Sequence, residues 1–234
     1  MKMLLFGKNS KSIEGLVKNL GLILVNSNPD VVISYGGDGT LLSSEREFPN
    51  IPKLPLRNSA VCRKCTNHED EVMLKKLLAG KLKLKEYKKL ETTILYKNFY
   101  ALNDFVIRNS DPTHTIRFRT SETKNKLLIG DGLVVSTVFG STGYFKSITN
   151  QTFKKGFAVA FNNTTEKTRP IILKDNSTFT FQLVRGKSTL SFDNSPEIFV
   201  IDEGSEVLFK LSNQVAKIYE ADSLRCPSCE VIRG

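Results

Sequence analysis

The chain predicts an α/β N-terminal lobe over residues 1–81, followed by a β-rich lobe over residues 82–215. The first observation is alternation: through the first eighty residues, apolar strand-like runs take turns with helix-compatible stretches, the pattern of a mostly parallel sheet. The second is a change at about Leu82 to short alternating runs rich in Thr, Ile, Phe and Val, divided by turn residues, which reads as antiparallel sheet. The third is size. A chain of 234 residues with 40% hydrophobic content has enough apolar material for a sizeable core in one large domain or two small ones.

In the first lobe, Lys2 to Phe6 reads as a strand, Lys11 to Leu20 as a helix, and Leu22 to Val25 and Val31 to Ser34 as strands. A short helix follows from Leu41, then a strand near Lys53 to Leu56 and a helix over Glu69 to Ala79. The run from Lys75 to Lys89 interleaves leucine with lysine, as a helix end passing into an amphipathic strand does. In the second lobe, strands are expected at Thr92 to Tyr96, Thr115 to Arg119, Lys126 to Ile129, Leu133 to Ser136, Ala158 to Phe161, Phe179 to Leu183, Thr189 to Phe192 and Glu206 to Lys210. There is no internal repeat and no long linker, so the crevice between the lobes is the expected site.

Charge and composition narrow the class. Thirty-four Lys and Arg against 24 Asp and Glu leave a net charge of +10, which suits anionic ligands such as nucleotides or polyphosphate. No run approaches the roughly 18 apolar residues that a bilayer span requires. Met1 to Phe6 is too short for the apolar core of a secretory signal, so a soluble cytoplasmic protein is expected. Hydrolysis by a Ser/His/Asp arrangement is disfavoured, since His68 and His114 are the only histidines and neither has a suggestive neighbour. His68, beside Glu69 and Asp70, reads as an exposed residue at a helix start.

The chemistry concentrates in two glycine-punctuated segments. In Val31 to Leu42 an apolar strand stops at Gly36-Gly37-Asp38-Gly39-Thr40 and resumes in a helical pattern, which is the grammar of a phosphate-binding turn. The carboxylate of Asp38 would repel phosphate unless it had another task, such as taking a proton from an attacking hydroxyl or holding a metal ion. The second segment runs from Gly130 to Tyr144. It places Asp131 ahead of a turn rich in hydroxyls and glycine: Ser136, Thr137, Gly140, Ser141, Thr142, Gly143 and Tyr144. Between the two, Asn103-Asp104 leads into an apolar strand and offers donors and acceptors for an adenine edge or a ribose diol.

The GGDGT turn, the Asn103-Asp104 pair, the run ending in Gly140-Ser141-Thr142-Gly143-Tyr144, the Arg169-Pro170-Ile171-Ile172-Leu173 strand and the Asp193-Asn194 turn together resemble the NAD kinase family, in that family's order. The resemblance spans about Pro29 to Leu211. It implies a two-lobed fold, with residues 216–234 returning to the first lobe, and phosphoryl transfer from ATP or polyphosphate to the 2′-hydroxyl of the adenosine ribose of NAD. By the same resemblance Asp38 is the general base, and Gly36, Gly37, Gly39 and Thr40 form the donor-phosphate turn. Asn103 and Asp104 meet the substrate nucleoside, Asp131 the nicotinamide half, and Thr142, Gly143, Tyr144 and Ser147 the adenine and ribose. Mg²⁺ or another divalent cation and a dimeric or tetrameric state come with it. Positioning and charge neutralisation are most of what such a transfer needs.

The chain departs from the family pattern at Val138-Phe139, where Pro-Thr or Pro-Ser is usual, and at Gly143, where Ala is usual. After Leu56 it reads Arg57-Asn58-Ser59-Ala60-Val61-Cys62-Arg63-Lys64-Cys65 in place of a glycine-rich loop. All four cysteines fall in two CxxC pairs, Cys62/Cys65 and Cys226/Cys229, which by spacing suit a structural Zn²⁺ formed by tertiary contact. Disulfides are the competing reading. Two other functions remain open: a lipid or sugar kinase sharing the GGDGT turn, and a non-catalytic, zinc-stabilised protein binding NAD(P) or nucleic acid. Asp38, Asn103 and Asp131 in one chain weigh against a mere binder, and nucleic acid is not the expected partner.

Overall fold

A computed structural model of the chain describes residues 1–58, 62–63, 65–124, 126–220, 226 and 229–231, with main chain only at 62–63 and 230–231. Two compact units result, Met1–Tyr87 with Val215–Gly234, and Lys88–Gln214. In the first, β1 (Lys2–Phe6), β2 (Ile23–Leu24), β3 (Val31–Tyr35) and β4 (Lys53–Leu56) run parallel in the order β2-β1-β3-β4. A two-residue strand β5 (Cys62–Arg63) follows, and the helices are α1 (Glu14–Asn19), α2 (Asp38–Glu47) and α3 (Asp70–Leu78). All five residues of β3 are buried, as befits the central strand of a parallel sheet covered on both faces. Met3, Val17, Ile33, Leu54, Leu56, Met73, Leu74 and Leu77 form its core.

Two boundaries differ from the sequence expectation. The helix expected over 11–20 divides into a 3-10 turn at Ser10–Ile13 and the short α1. Its end is a Schellman motif: Gly21 (φ +74°) donates to Lys18 O and Leu22 donates to Val17 O. Helix α2 starts at Asp38 and not at Leu41, because the glycine turn is itself the first turn of the helix.

The second unit takes over along β6 (Leu84–Ile94) and continues through β7 (Lys97–Ala101), β8 (Asp104–Asn109), β9 (Ile116–Thr120), β10 (Leu128–Gly130), β11 (Gly132–Thr137) and α4 (Tyr144–Thr149). The strands β12 (Phe157–Asn162), β13 (Ile171–Leu173), β14 (Thr178–Arg185), β15 (Ser188–Phe192) and β16 (Phe199–Ile201) complete it, before β17 (Glu206–Tyr219) leads back to the first unit and β18 (Glu230–Val231) pairs with β5. One sheet is antiparallel throughout, in the order β13-β12-β11-β8-β15-β16. The antiparallel strands β10-β9-β14-β17 pack against it through a phenylalanine core, with Phe105 5.5 Å from both Phe192 and Phe209 and Phe118 5.3 Å from Phe181. Each such ring contributes about 1.5–3 kcal/mol of burial.

The strand expected over Thr92 to Tyr96 overruns its end. Leu95 and Tyr96 have φ of +49° and +62° and form the exposed two-residue tip of the β6–β7 hairpin. The last residues of β17 lie parallel to β4 at Ile218 and Lys53, extending the first unit's sheet.

Candidate functional site

The glycine turn opens directly from β3. Gly37 caps α2 in extended conformation, and among the described residues no side chain caps the helix. Its first-turn amides therefore suit an external anion. Gly36 has no room for a side chain, since a Cβ there would lie 2.2 Å from Thr40 Oγ1. At Gly37 a Cβ would meet nothing within 4 Å. Gly37, Asp38 and Gly39 are exposed, and Thr40 is half-buried. Gly36 donates to Leu56 O (2.9 Å) and accepts from the Asn58 amide (3.4 Å), so the chain leaving β4 runs against the turn.

Beneath α2 lies a feature that hydropathy does not signal. Lys53 is 0% exposed, forms an ion pair with the buried Glu45, and donates to Phe48 O and to Ile51 O (2.7 Å). Phe48 is the C-cap of α2, so a buried cation sits at the negative end of the helix that carries Asp38. Ser34 and Ser44 join β3 to α2 by a 2.5 Å hydrogen bond.

In the second unit the expected nucleoside residues gather around a buried carboxylate. Asp193 accepts from the amides of Leu102 (2.9 Å), Asn103 (2.7 Å) and Asp104 (3.3 Å), and its own amide donates to Asp104 O (3.1 Å). Burial pushes Asp193 up to about 6, although those three amides and Lys89 pull the other way. Asp104 is also buried, and burial followed by the charge of Asp193 pushes it up to about 7.

Across from this turn, Thr137 Oγ1 donates to Leu102 O (2.5 Å) and accepts from the Gly140 amide (3.0 Å). A Cβ on Gly140 would sit 2.2 Å from Asn103 O, and one on Gly143 would sit 3.9 Å from Asn103 Nδ2. The Asn103 and Gly140–Gly143 turns are therefore pressed together. Asn103 Oδ1 and Thr142 Oγ1 are buried there with no hydrogen-bond partner among the described residues. Two orphaned oxygens on expected contact residues mark a place for an external polar group.

Tyr144 and Ser147 continue into α4, where the exposed Ser147 hydroxyl donates to Tyr144 O (2.7 Å). Phe139 is buried, and Val138 packs beside Phe145 and Phe153. Asp131 is not part of this group. It precedes β11, whose other end carries Thr137, a separation of roughly 20 Å along an extended strand. Asp131 Oδ2 accepts from Asn163 Nδ2 (2.9 Å), and Asn163 also lines a cleft of about 910 Å³ with Thr149, Gln151, Lys167, Thr168 and Arg169.

Three of the four expected cysteines gather in the first unit, and His68 joins them. Cys65, His68, Cys226 and Cys229 present ligand atoms all within 4.8 Å of one another. His68 was expected to be exposed; it is half-buried with Nδ1 turned to sulfur. Burial pushes its imidazole below the usual range, Lys76 acts the same way and Glu220 opposes. The side chain of Cys62, also an expected ligand, lies outside the described residues. Cys65-x-x-His68 has the spacing of a CxxC turn, which is the sequence cue that could have found His68.

A family model for the ATP-NAD kinase C-terminal domain matches residues 102–221. An NAD kinase of Sulfurisphaera tokodaii is 32% identical over 177 residues, covering 70% of each chain. One of Clostridium botulinum is 27% identical over 217 residues, 86% of this chain and 72% of that protein. Among solved structures, an Archaeoglobus fulgidus NAD kinase in complex with ATP superposes with a TM-score of 0.77 at 19% identity, covering 97% of both chains. Yeast NADH kinase complexed with NADH gives 0.79 at 14% identity, covering 100% of this chain and 90% of that one. The two structural likenesses establish the fold.

Proposed function

This chain belongs to the NAD kinase family, and from that premise we propose that it phosphorylates the 2′-hydroxyl of the adenosine ribose of NAD, with ATP or polyphosphate as donor, to give NADP. The observation that carries the reading is the pair of buried oxygens, Asn103 Oδ1 and Thr142 Oγ1, that have no partner among the described residues and lie on residues expected to meet a nucleoside. A lipid or sugar acceptor has no comparable feature in its favour.

In this reading Gly36, Gly37, Gly39 and Thr40 receive donor phosphate on the amides at the start of α2. Asp38 takes the proton from the ribose hydroxyl as the hydroxyl oxygen attacks the donor's terminal phosphorus, whose bond to the bridging oxygen breaks to release ADP or the shortened polyphosphate. Asn103, with Thr142, Gly143, Tyr144 and Ser147, orients the adenosine. Asp104, whose carboxyl is pushed up to about 7, can donate as well as accept a hydrogen bond near neutrality. Asp131, a strand length away, is assigned to the nicotinamide half.

A divalent cation such as Mg²⁺ fits the donor set, because Asp38 is an exposed carboxylate beside a phosphate turn and Mg²⁺ is commonly bound by one or two carboxylates plus phosphate oxygens. When bound it neutralises charge on the transferring group. Of the two metals that the sequence calls for, only this one takes part in transfer; Zn²⁺ would be structural.

A cytoplasmic homo-oligomer is part of the proposal. No helix among the described residues is long and apolar enough to cross a membrane. Ile172 on β13 and Val200 on β16 are exposed at opposite edges of the six-stranded sheet, which supports assembly through those edges. NADP formation by purified protein with Mg²⁺, NAD and ATP or polyphosphate tests the activity. Absence of product with either donor would remove it.

A further inference from the structure

We propose that Cys65, His68, Cys226 and Cys229 form a closed, structural Zn²⁺ site, with His68 as the fourth ligand. The proposal does not depend on the kinase reading. It begins from edge lengths. Four ligands arranged tetrahedrally at Zn–S of about 2.3 Å and Zn–N of about 2.0–2.1 Å lie about 3.8 Å apart for two sulfurs and about 3.6 Å apart for sulfur and nitrogen. Here Cys65 Sγ and Cys229 Sγ are 3.6 Å apart, and His68 Nδ1 is 3.3 Å from Cys65 Sγ and 3.4 Å from Cys229 Sγ. Those are near the edges of a metal tetrahedron. They are far beyond the S–S bond length of about 2.05 Å that a disulfide would require.

The backbone is shaped for the same purpose. The His68 amide donates to Cys65 O (2.9 Å), and the Cys229 amide donates to Cys226 O (3.2 Å). The same amide-to-carbonyl hydrogen bond therefore joins the ends of both x-x spacings, whose ligand atoms converge from segments about 160 residues apart in sequence. The Cys65 amide also points at Cys229 Sγ (3.3 Å), a donor that suits a sulfur carrying negative charge. The adjoining β5 and β18 pair antiparallel, Arg63 with Glu230 and Cys62 with Val231, which holds the two turns in register.

Three thiols and one imidazole that converge with no disulfide among them make a poor surface but a complete ligand set for a borderline-soft ion. On binding, each thiol loses its proton to solvent and the imidazole binds through Nδ1 while neutral. Four protein ligands leave no position for water, so the ion's role is to hold structure and not to catalyse. What it holds is specific. Asp70, two residues beyond His68, accepts from the Tyr35 hydroxyl (3.3 Å), and Tyr35 is the residue before the Gly36 turn.

The test is metal analysis and zinc-edge X-ray absorption on full-length protein purified without a metal-chelating tag. One Zn²⁺ per chain with three sulfurs and one nitrogen is expected. Cys229→Ser and His68→Ala should lose the ion, His68→Cys should retain it with four sulfurs, and Cys62→Ser should leave both content and spectrum unchanged. Four sulfurs in the wild type, with loss of zinc in Cys62→Ser, would transfer the fourth position to Cys62 and overturn the assignment of His68. A metal-free wild type that also fails to take up Co²⁺, or one whose cysteines titrate as disulfide, would overturn the site altogether. The wild-type spectrum decides even where a variant does not fold.

Discussion

The two glycine-bearing turns of this chain meet opposite demands. Gly36–Thr40 stays open: three of its residues are exposed, its helix has no side-chain cap among the described residues, and the charges that steady it lie beneath, in the buried Lys53–Glu45 pair. Gly140–Gly143 is closed. It is pressed onto Asn103, and the Asn103 turn is in turn clasped by the buried carboxylate of Asp193. A phosphate is recognised by many weak, equivalent donors that solvent can reach. A nucleoside edge is recognised by a few donors and acceptors that must not move.

Five perturbations separate the turns. Asp38→Asn acts on the open turn alone and should lower turnover about 10²–10⁴-fold while nucleotide binding survives, measured by NADP formation beside calorimetric titration. Unchanged turnover would remove Asp38 from the role of base. Lys53→Met removes the ammonium that pairs with the buried Glu45 and should cost about 3–5 kcal/mol in a denaturant melt, much of it recovered in Lys53→Met with Glu45→Leu. If the single variant is as stable as wild type, the buried pair does not support the helix.

Gly140→Ala drives a Cβ to 2.2 Å from Asn103 O and should cost about 1–3 kcal/mol with a raised KM for NAD. Gly37→Ala, with nothing within 4 Å, should change stability by less than about 1 kcal/mol. Equal effects at the two glycines would break the contrast between open and closed turns. The last comparison is of pH dependence. Asp104 is pushed up from 3.8 to about 7, so the folded state binds its proton more tightly than the unfolded chain does. That contribution is fully present below about pH 4 and is lost as pH rises through about 7. Thermal melts of wild type should lose stability across that window, and Asp104→Asn should flatten the loss. An unaltered slope would show that the Asp104–Asp193 pair does not titrate as its burial implies.

Much of this was legible in the sequence because its causes are local. Val31 to Tyr35 is apolar but for Ser34, and glycines follow at once, so strand, turn and helix could be read together. Leu95 and Tyr96 misled because their apolar character extends the strand pattern, whereas their position at a hairpin tip depends on β7 pairing with β6. Asp193 could be matched as a motif, but its task was hidden: the amides it accepts from lie about ninety residues earlier. Lys53 reads as an ordinary surface lysine until Glu45 and the end of α2 are folded over it. His68 was overlooked for its charged neighbours Glu69 and Asp70, which are turned by the helix start while its ring faces sulfur.

The division of the chain has a consequence for its synthesis. Residues 88–214 form a unit interrupting another whose parts come from before and after it. A ribosome therefore releases everything needed for the phenylalanine-centred sandwich before it releases Ile218, which completes the parallel sheet beside Lys53. The later-made unit is the first that can mature, and the glycine turn at residues 36–40 must wait for Ile218, about 180 residues later, before its sheet is finished.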